Sequence, residues 1–172
     1  MTYVRPEISD DIEKIDEIYR RAFETDLEAN LVKTIRGSEY FIPELSLVAV
    51  KQTRVVGHIL FSGIKIIGEG GEIPVLALAP MAVLPEYQRQ AIGSELVYRG
   101  LLESAKLGYN IVVVIGHPAY YPKFGFKPAR QYGIRAPFDV PDEAFLVLEL
   151  KVGALKDVNG VVTYNPAFNS AI

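Results

Sequence analysis

Apolar residues recur along this chain with two periods, and each period predicts a different kind of element. Thr2 to Arg5 is a short β-like entry, stopped by Pro6. From Ile8 the spacing becomes helical. Ile8, Ile12, Ile15, Tyr19 and Phe23 fall on one stripe, and Ser9 or Asp10 caps the helix, with Glu13 completing an Asp-x-x-Glu box. Leu27, Leu31 and Ile35 at four-residue spacing predict a second helix from Asp26 to about Arg36, with Gly37 as its stop. The pattern then changes to that of strands. Leu45 to Lys51 and Val55 to Ile67, separated by Gln52, Thr53 and Arg54, predict an antiparallel hairpin. Gly68, Gly70 and Gly71 make the next hairpin turn and return the chain into a strand from about Ile73 to Leu84. Ile92, Leu96, Leu101 and Ala105 predict a helix from about Ala91 to Leu107, ended by Gly108. Ile111 to Ile115 is a run of β-branched residues that reads as a buried central strand. Leu146 to Lys151 is a further strand, and the tail Val161 to Phe168 adds another, ended by Pro166.

A strand, a helix and a buried strand in succession make a βαβ unit with parallel strands, and ligands gather at the carboxyl ends of such strands. The turn from Gln88 to Ser94 lies at that end of the first strand, and Gly116-His117 at that end of the second. A helix start aims unpaired backbone N–H groups and the positive end of its dipole at one point, which suits a phosphate. Pro80 adds to this. It cannot donate to a sheet ladder, so within a central strand it implies a bulge or a gap in pairing that frees backbone groups of Met81, Ala82 and Val83. The alternative is that Pro80 and Pro85 bracket a short edge strand.

Composition limits what such a site can belong to. The 172 residues, 49% hydrophobic and 23% charged, suit one globular domain. A formal charge of −3 lacks the basic surplus expected of nucleic-acid or anionic-membrane binders, so neither is an expected partner. The absence of a membrane-span run or a signal-peptide core points to the cytoplasm. With no cysteine there is neither a thiolate metal site nor an enzyme-bound thioester, and His58 and His117 are too scattered to propose a zinc site. Gly68-Glu69-Gly70-Gly71 is no phosphate loop, because no Gly-Lys-Ser/Thr follows. Gly100 within a helix suggests close packing on the sheet. Arg20-Arg21 reads as a solvated helix face, and His58 as a structural residue facing a partner strand or the ligand side.

The segment Gln88-Arg89-Gln90-Ala91-Ile92-Gly93 matches a Q/R-x-x-G-x-G/A signature, and Tyr121-Pro122-Lys123-Phe124-Gly125-Phe126 matches a Y-x-x-x-G-F segment. Together with the element order β-α-α-β-β-β-α-β-α-β-β, they resemble the GNAT superfamily of acetyl-CoA-dependent N-acetyltransferases. The stretch Gly116-His117-Pro118-Ala119-Tyr120-Tyr121 is similar to a branch of predicted bacterial acetyltransferases. The resemblance covers nearly the whole chain and implies a single acetyltransferase domain over residues 1–172, built on a mixed central sheet with a splayed parallel strand pair. It implies an acetyl group moved directly from acetyl-CoA, as co-substrate and with no metal, to an amine of a small molecule or peptide, with a homodimer as a family option.

Carried over residue by residue, the resemblance places the coenzyme pyrophosphate on the amides of Gln88, Arg89, Gln90, Ala91, Ile92, Gly93 and Ser94, and the pantetheine along Met81 to Val83. Tyr121 becomes the general acid for the departing thiolate, with Tyr121 as core packing and Tyr120 exposed as the other reading. His117 is a candidate general base, or else a turn residue anchoring backbone. Arg89 either contacts coenzyme phosphate or is a surface charge. Ala91 stands where the family usually has glycine: if residue 91 is helical, alanine has no φ penalty, and if φ is positive it costs about 1 kcal/mol or more. Asp26, Glu28, Glu44 and Glu143 are candidate anionic contacts for a cationic amine. Two rivals remain: a catalytically silent acyl-CoA-binding regulatory module, and a protein using the helix start for another nucleotide.

Overall fold

A computed structural model describes residues 1–169. In chain order the elements are β1 (Thr2–Pro6), α1 (Ile12–Ala22), α2 (Leu27–Arg36), β2 (Phe41–Lys51), β3 (Arg54–Gly68), β4 (Gly71–Val83), α3 (Ile92–Lys106), β5 (Ile111–Ile115), β6 (Lys127–Pro128), β7 (Ile134–Arg135), β8 (Phe145–Glu149) and β9 (Gly160–Thr163). This is the expected mixed α/β order as far as β5; after it the chain has four strands where two were expected, the two-residue β6 and β7 being the additions, and it lacks the expected helix. Where that order puts a helix after β5, the chain makes 3-10 turns at Tyr121–Phe124 and Ala129–Tyr132. Pro122 and Pro128 lack the N–H that helix propagation needs, and Gly125 at φ +103° turns the chain out of the right-handed region.

The chain divides into two compact units, and β3, β4 and α3 each run from one into the other. The first unit holds residues 1–62, 79–103 and the segment from Pro166. Here β1 pairs antiparallel with β2 from Thr2↔Lys51 to Pro6↔Leu47, and β2 pairs antiparallel with β3 down to Lys51↔Arg54. Helix α1 buries Ile15, Ile18 and Tyr19, and α2 buries Ala29, Leu31, Val32 and Ile35. The expected α1 stripe was too long: Ile8 is 54% exposed, Ile12 and Phe23 each 37%. The reason is local. Ser9–Asp11 is a 3-10 turn, so α1 begins only at Ile12, and its buried arc follows the three-four spacing from Ile15. The capping carboxylate also differs from expectation. Asp11, not Asp10 or Glu13, accepts the Ile8 N–H at 2.8 Å, held by Arg5 at 2.7 and 3.1 Å.

Helix α3 starts at Ile92, one residue later than expected, and ends at Lys106. Its buried ridge runs Ile92, Leu96, Gly100, Ser104, so Ser104 takes the place expected for Ala105, which is exposed. Gly100 has its expected role: a Cβ there would collide with the ring of Phe61 on β3.

In the second unit, residues 63–78 and 104–165, β4 pairs parallel with β5 at Leu76↔Val112 and Ala77↔Val113. The other edge of β5 pairs antiparallel with β8 over its full length, from Ile111↔Glu149 to Ile115↔Phe145. β8 in turn pairs with β6, while β9 joins the end of β3 and the short β7. The Ile111–Ile115 run is thus the central strand its composition predicts, buried through Val114. β4 has neighbours on both sides, so Pro80 and Pro85 do not bracket an edge strand. Among the described residues no helix is long and apolar enough to cross a membrane.

Candidate coenzyme and catalytic site

The parallel ladder is the first component. β5 continues to Ile115 with β8 as its partner, but its recorded register with β4 stops at Val113. The next residues of β4 carry a cis Ala79–Pro80 bond, and Pro80 itself has no N–H to offer a neighbouring strand. The ladder thus ends at Ala77, three residues ahead of the proline at which the sequence put the interruption, and Ile115 at the end of β5 is 41% exposed although every other residue of that strand is buried.

In the first unit, β4 ends at Val83 and the Leu84 N–H donates to the Val56 carbonyl at 2.8 Å, fixing where the turn begins. Pro85–Tyr87 is a 3-10 turn whose Tyr87 N–H returns to Leu84 O at 2.9 Å. The Gln88 side-chain amide then donates to the Val83 carbonyl at 3.0 Å, closing the loop over the strand end. Arg89 and Ala91 both have left-handed backbones, φ +63° and +66°, on either side of Gln90. Alternation of hand along successive residues turns neighbouring N–H groups toward a common side, which is how backbone nests receive anions. Glu95 N donates to Ala91 O at 3.0 Å, and the amides of Ile92, Gly93 and Ser94 precede it in the first turn of α3.

Residue 91 therefore takes the second of the two conformations open to it on sequence grounds. It is not helical, and alanine sits at a position that favours glycine. Ala91→Gly should stabilise the fold by about 0.5 to 1 kcal/mol, the left-handed penalty less the extra unfolded-state entropy of glycine. Urea unfolding of the two proteins measures this, and a destabilised variant would show that the left-handed turn is not held in solution.

The second unit carries the other expected residues. The Gly116 N–H donates to Ala144 O at 2.9 Å, and a Cβ on Gly116 would overlap the Tyr121 ring, so the ring lies flat against bare backbone. Tyr120 and Phe126 pack edge-on to Tyr121 at 5.0 and 5.6 Å between centroids. The Tyr121 side chain is buried, and burial, with Tyr120 adding to it, pushes its phenol up to about 12. Tyr120 is half-buried with the Lys123 ammonium 4.1 Å from its ring centroid.

His117 is exposed, and its Nδ1 accepts the Ala119 N–H at 3.1 Å. That bond places the proton of the neutral ring on Nε2, so the outward nitrogen is a donor. A cavity of about 510 Å³ in this unit, lined by Ile73, Tyr109, Asn110 and Lys151 among others, lies at the amino-terminal ends of β4 and β5, and none of the expected site residues line it.

His58 is fully buried and belongs to a polar chain that sequence reading missed. The Ser46 hydroxyl donates to Glu7 Oε1, which leaves Ser46 Oγ to accept from His58 Nε2 at 2.8 Å. His58 Nδ1 then accepts from the Tyr19 hydroxyl at 2.9 Å. Arg36 closes the far end with two bonds to Glu7, at 2.8 and 3.0 Å. Burial alone would raise the Glu7 carboxyl, but hydrogen bonds from His58, Arg36 and Ser46 outweigh it and hold the group at about 2. Burial pushes His58 the other way, below its ordinary value, despite Glu7 beside it. Among the described residues no group of three or more His, Cys, Asp or Glu is placed to hold a metal ion.

The ladder of β4 to β5 ends at Ala77, and β4 runs on into a left-handed turn and the long helix α3. A family model described as "Acetyltransferase (GNAT) domain" matches residues 3–129, and the chain belongs to that family of acetyltransferases. It is 37% identical over 167 residues to the Escherichia coli (strain K12) protein named "Uncharacterized N-acetyltransferase YhbS", covering 96% of this chain and 98% of that one. The crystal structure of E. coli YhbS in complex with CoA superposes with a TM-score of 0.90 at 36% identity, over 98% of this chain and 92% of the other. A GNAT family acetyltransferase from Brucella melitensis in complex with acetyl-CoA gives a TM-score of 0.80 at 28% identity, over 98% and 99%.

Proposed function

We propose that this chain works as one catalytic domain in the cytoplasm, moving an acetyl group directly from acetyl-CoA to an amine of a small molecule or peptide. The observation that carries the reading is the left-handed pair Arg89 and Ala91 immediately ahead of the amino-terminal end of α3, following a strand whose ladder to β5 stops at Ala77. The backbone of Met81, Ala82 and Val83 bonds the pantetheine arm, and the amides from Gln88 to Ser94 receive the pyrophosphate. Coenzyme-bound YhbS and the acetyl-CoA-bound Brucella protein support this assignment by likeness of fold and sequence.

The thioester supplies an activated acyl carbon. The amine nitrogen adds to that carbon, the C–S bond breaks, and the Tyr121 hydroxyl gives its proton to the departing sulfur. A phenol held near 12 stays protonated throughout the physiological range, so the donor form is always present. The nitrogen must also lose a proton. His117 serves as base only if the Ala119 N–H bond to its Nδ1 opens, so an amine that arrives neutral and releases its proton to water is the simpler route.

Incubating the full chain with acetyl-CoA and a panel of polyamines, amino acids, aminoglycosides and peptide N-termini, with free thiol as the readout, tests the reading. Coenzyme A is expected to raise the melting temperature where ATP and NAD do not. Stabilisation without thiol release from any amine would instead mark a silent acyl-CoA-binding module, and stabilisation by ATP or NAD alone would remove coenzyme A from the site.

A further inference from the structure

The β2–β3 hairpin breaks three local rules within four residues. Gln52 and Thr53 form its two-residue connection with φ of +49° and +70°, where glycine or asparagine is the usual solution and a β-branched residue is a genuine outlier. Lys51 and Arg54, the flanking pair, stand directly opposite each other in register. Like charges so placed repel. Unfavourable choices concentrated at one spot point to a role other than folding.

What the tip faces is the signature turn, and every residue involved belongs to the first unit. The Lys51 ammonium donates to Gln90 Oε1 at 2.7 Å and lies 5.7 Å from the centroid of the Tyr87 ring. The Arg54 guanidinium lies 5.5 Å from the same ring and donates to the Tyr87 hydroxyl at 3.5 Å. Arg21, from α1, reaches Glu86 at 3.0 Å, and Arg54 reaches the same carboxylate at 3.9 Å. Two arginines thus share the Glu86 carboxylate, and the Lys51 ammonium meets the neutral Gln90 and Tyr87 beside the left-handed turn, in a chain whose formal net charge is −3. Such a surplus exceeds what Glu86 neutralises, and it suits an anion of more than one charge.

We propose that Lys51 and Arg54 bind the 3′-phosphate of coenzyme A and select it over forms lacking that group. The inference rests on the coenzyme reading given above. In that reading the amides of the turn are occupied by the pyrophosphate, and the phosphate left over is a ribose monoester carrying between one and two negative charges near neutral pH. The hairpin supplies a lysine point charge and an arginine fork, which together match a monoester better than backbone amides do. The repulsion between Lys51 and Arg54 in the free protein is relieved by a dianion between them.

Titration calorimetry on the full chain with coenzyme A and with 3′-dephospho-coenzyme A provides the test. The native chain is expected to bind coenzyme A about tenfold or more tightly than the dephospho form, with the ratio shrinking as salt is raised. Lys51→Met with Arg54→Met should bring the two ligands to within about twofold of each other by weakening coenzyme A. Exchanging the charges as Lys51→Arg with Arg54→Lys should restore a preference. Both side chains are at the surface, and an unchanged or raised melting temperature in the methionine variant, which loses a like-charge pair, confirms that it is folded. Equal affinities in the native chain, or a preference that survives in the methionine variant, would overturn the assignment while leaving the coenzyme site standing. Failure of the native chain to bind either ligand would overturn both.

Discussion

Tyr121→Phe is expected to lower turnover of acetyl-CoA with an amine by about 10²- to 10⁴-fold, the range for loss of one general acid, with coenzyme affinity little changed. The separation of the two effects follows from the packing. Phenylalanine keeps the ring that lies on Gly116 and meets Tyr120 and Phe126 edge-on, so the loop from Gly116 to Phe126 holds its shape. Only the hydroxyl is lost. Because burial holds that hydroxyl at about 12, its protonation does not shape the rate between pH 6 and 9. Any limb of the native profile in that window then belongs to a group other than Tyr121, and the limb should keep its midpoint in the variant while the plateau falls. Steady-state thiol release across pH, with affinity measured separately, reads both quantities. Undiminished turnover in Tyr121→Phe would return Tyr121 to the role of core aromatic.

The second large effect concerns stability. Glu7→Gln should cost about 3 to 5 kcal/mol, because it leaves Arg36 charged and without its carboxylate in a largely buried site. The same chain makes the native fold acid-sensitive, and the two titrating members act in the same direction. His58 has its folded value lowered from 6.5, so its contribution is complete above that pH and declines as the pH falls below it. Glu7 is lowered from 4.5 to about 2, so its contribution is complete above about 4.5 and is lost between there and about 2. Urea unfolding from pH 8 to pH 3 should show stability beginning to fall below about 6.5 and falling again below about 4.5, with the lower step missing in Glu7→Gln. A variant that loses less than about 1 kcal/mol would mean that water replaces the carboxylate at Arg36.

The two kinds of polar feature differ in how far the sequence reveals them. The turn from Gln88 to Ser94 is contiguous, and its glycine and helix-start signals are local, so its place at the end of β4 could be read directly, while the ladder break that Pro80 pointed to begins three residues earlier, after Ala77. The hand of residue 91 could not, because alanine is compatible with a helix start and only the path between Val83 and α3 forces φ +66°. The expected helix after β5 came from the family order, while Pro122, Gly125 and Pro128 in the chain already argued against it. In α1 the apolar spacing was real but its ends were not buried, since periodicity does not reveal where a 3-10 turn replaces the first helical turn. The Glu7–Ser46–His58–Tyr19 chain was least legible. Its members sit on different elements, and each taken singly reads as an ordinary surface residue, an aromatic of the α1 stripe or a lone strand histidine. The hairpin cations were visible as letters, but their meaning depends on the turn facing them.

The buried chain has one more property, which concerns the order in which the protein is made. Glu7, Tyr19, Arg36, Ser46 and His58 all precede β4, and the hydrogen bonds of the chain described above run between them. A ribosome that has released β3 has already delivered both partners of each of those bonds, before Pro80, the coenzyme turn or Tyr121 has been synthesised. This polar interior is thus specified ahead of the coenzyme turn and Tyr121, and the chemistry is appended to it by what is translated afterwards.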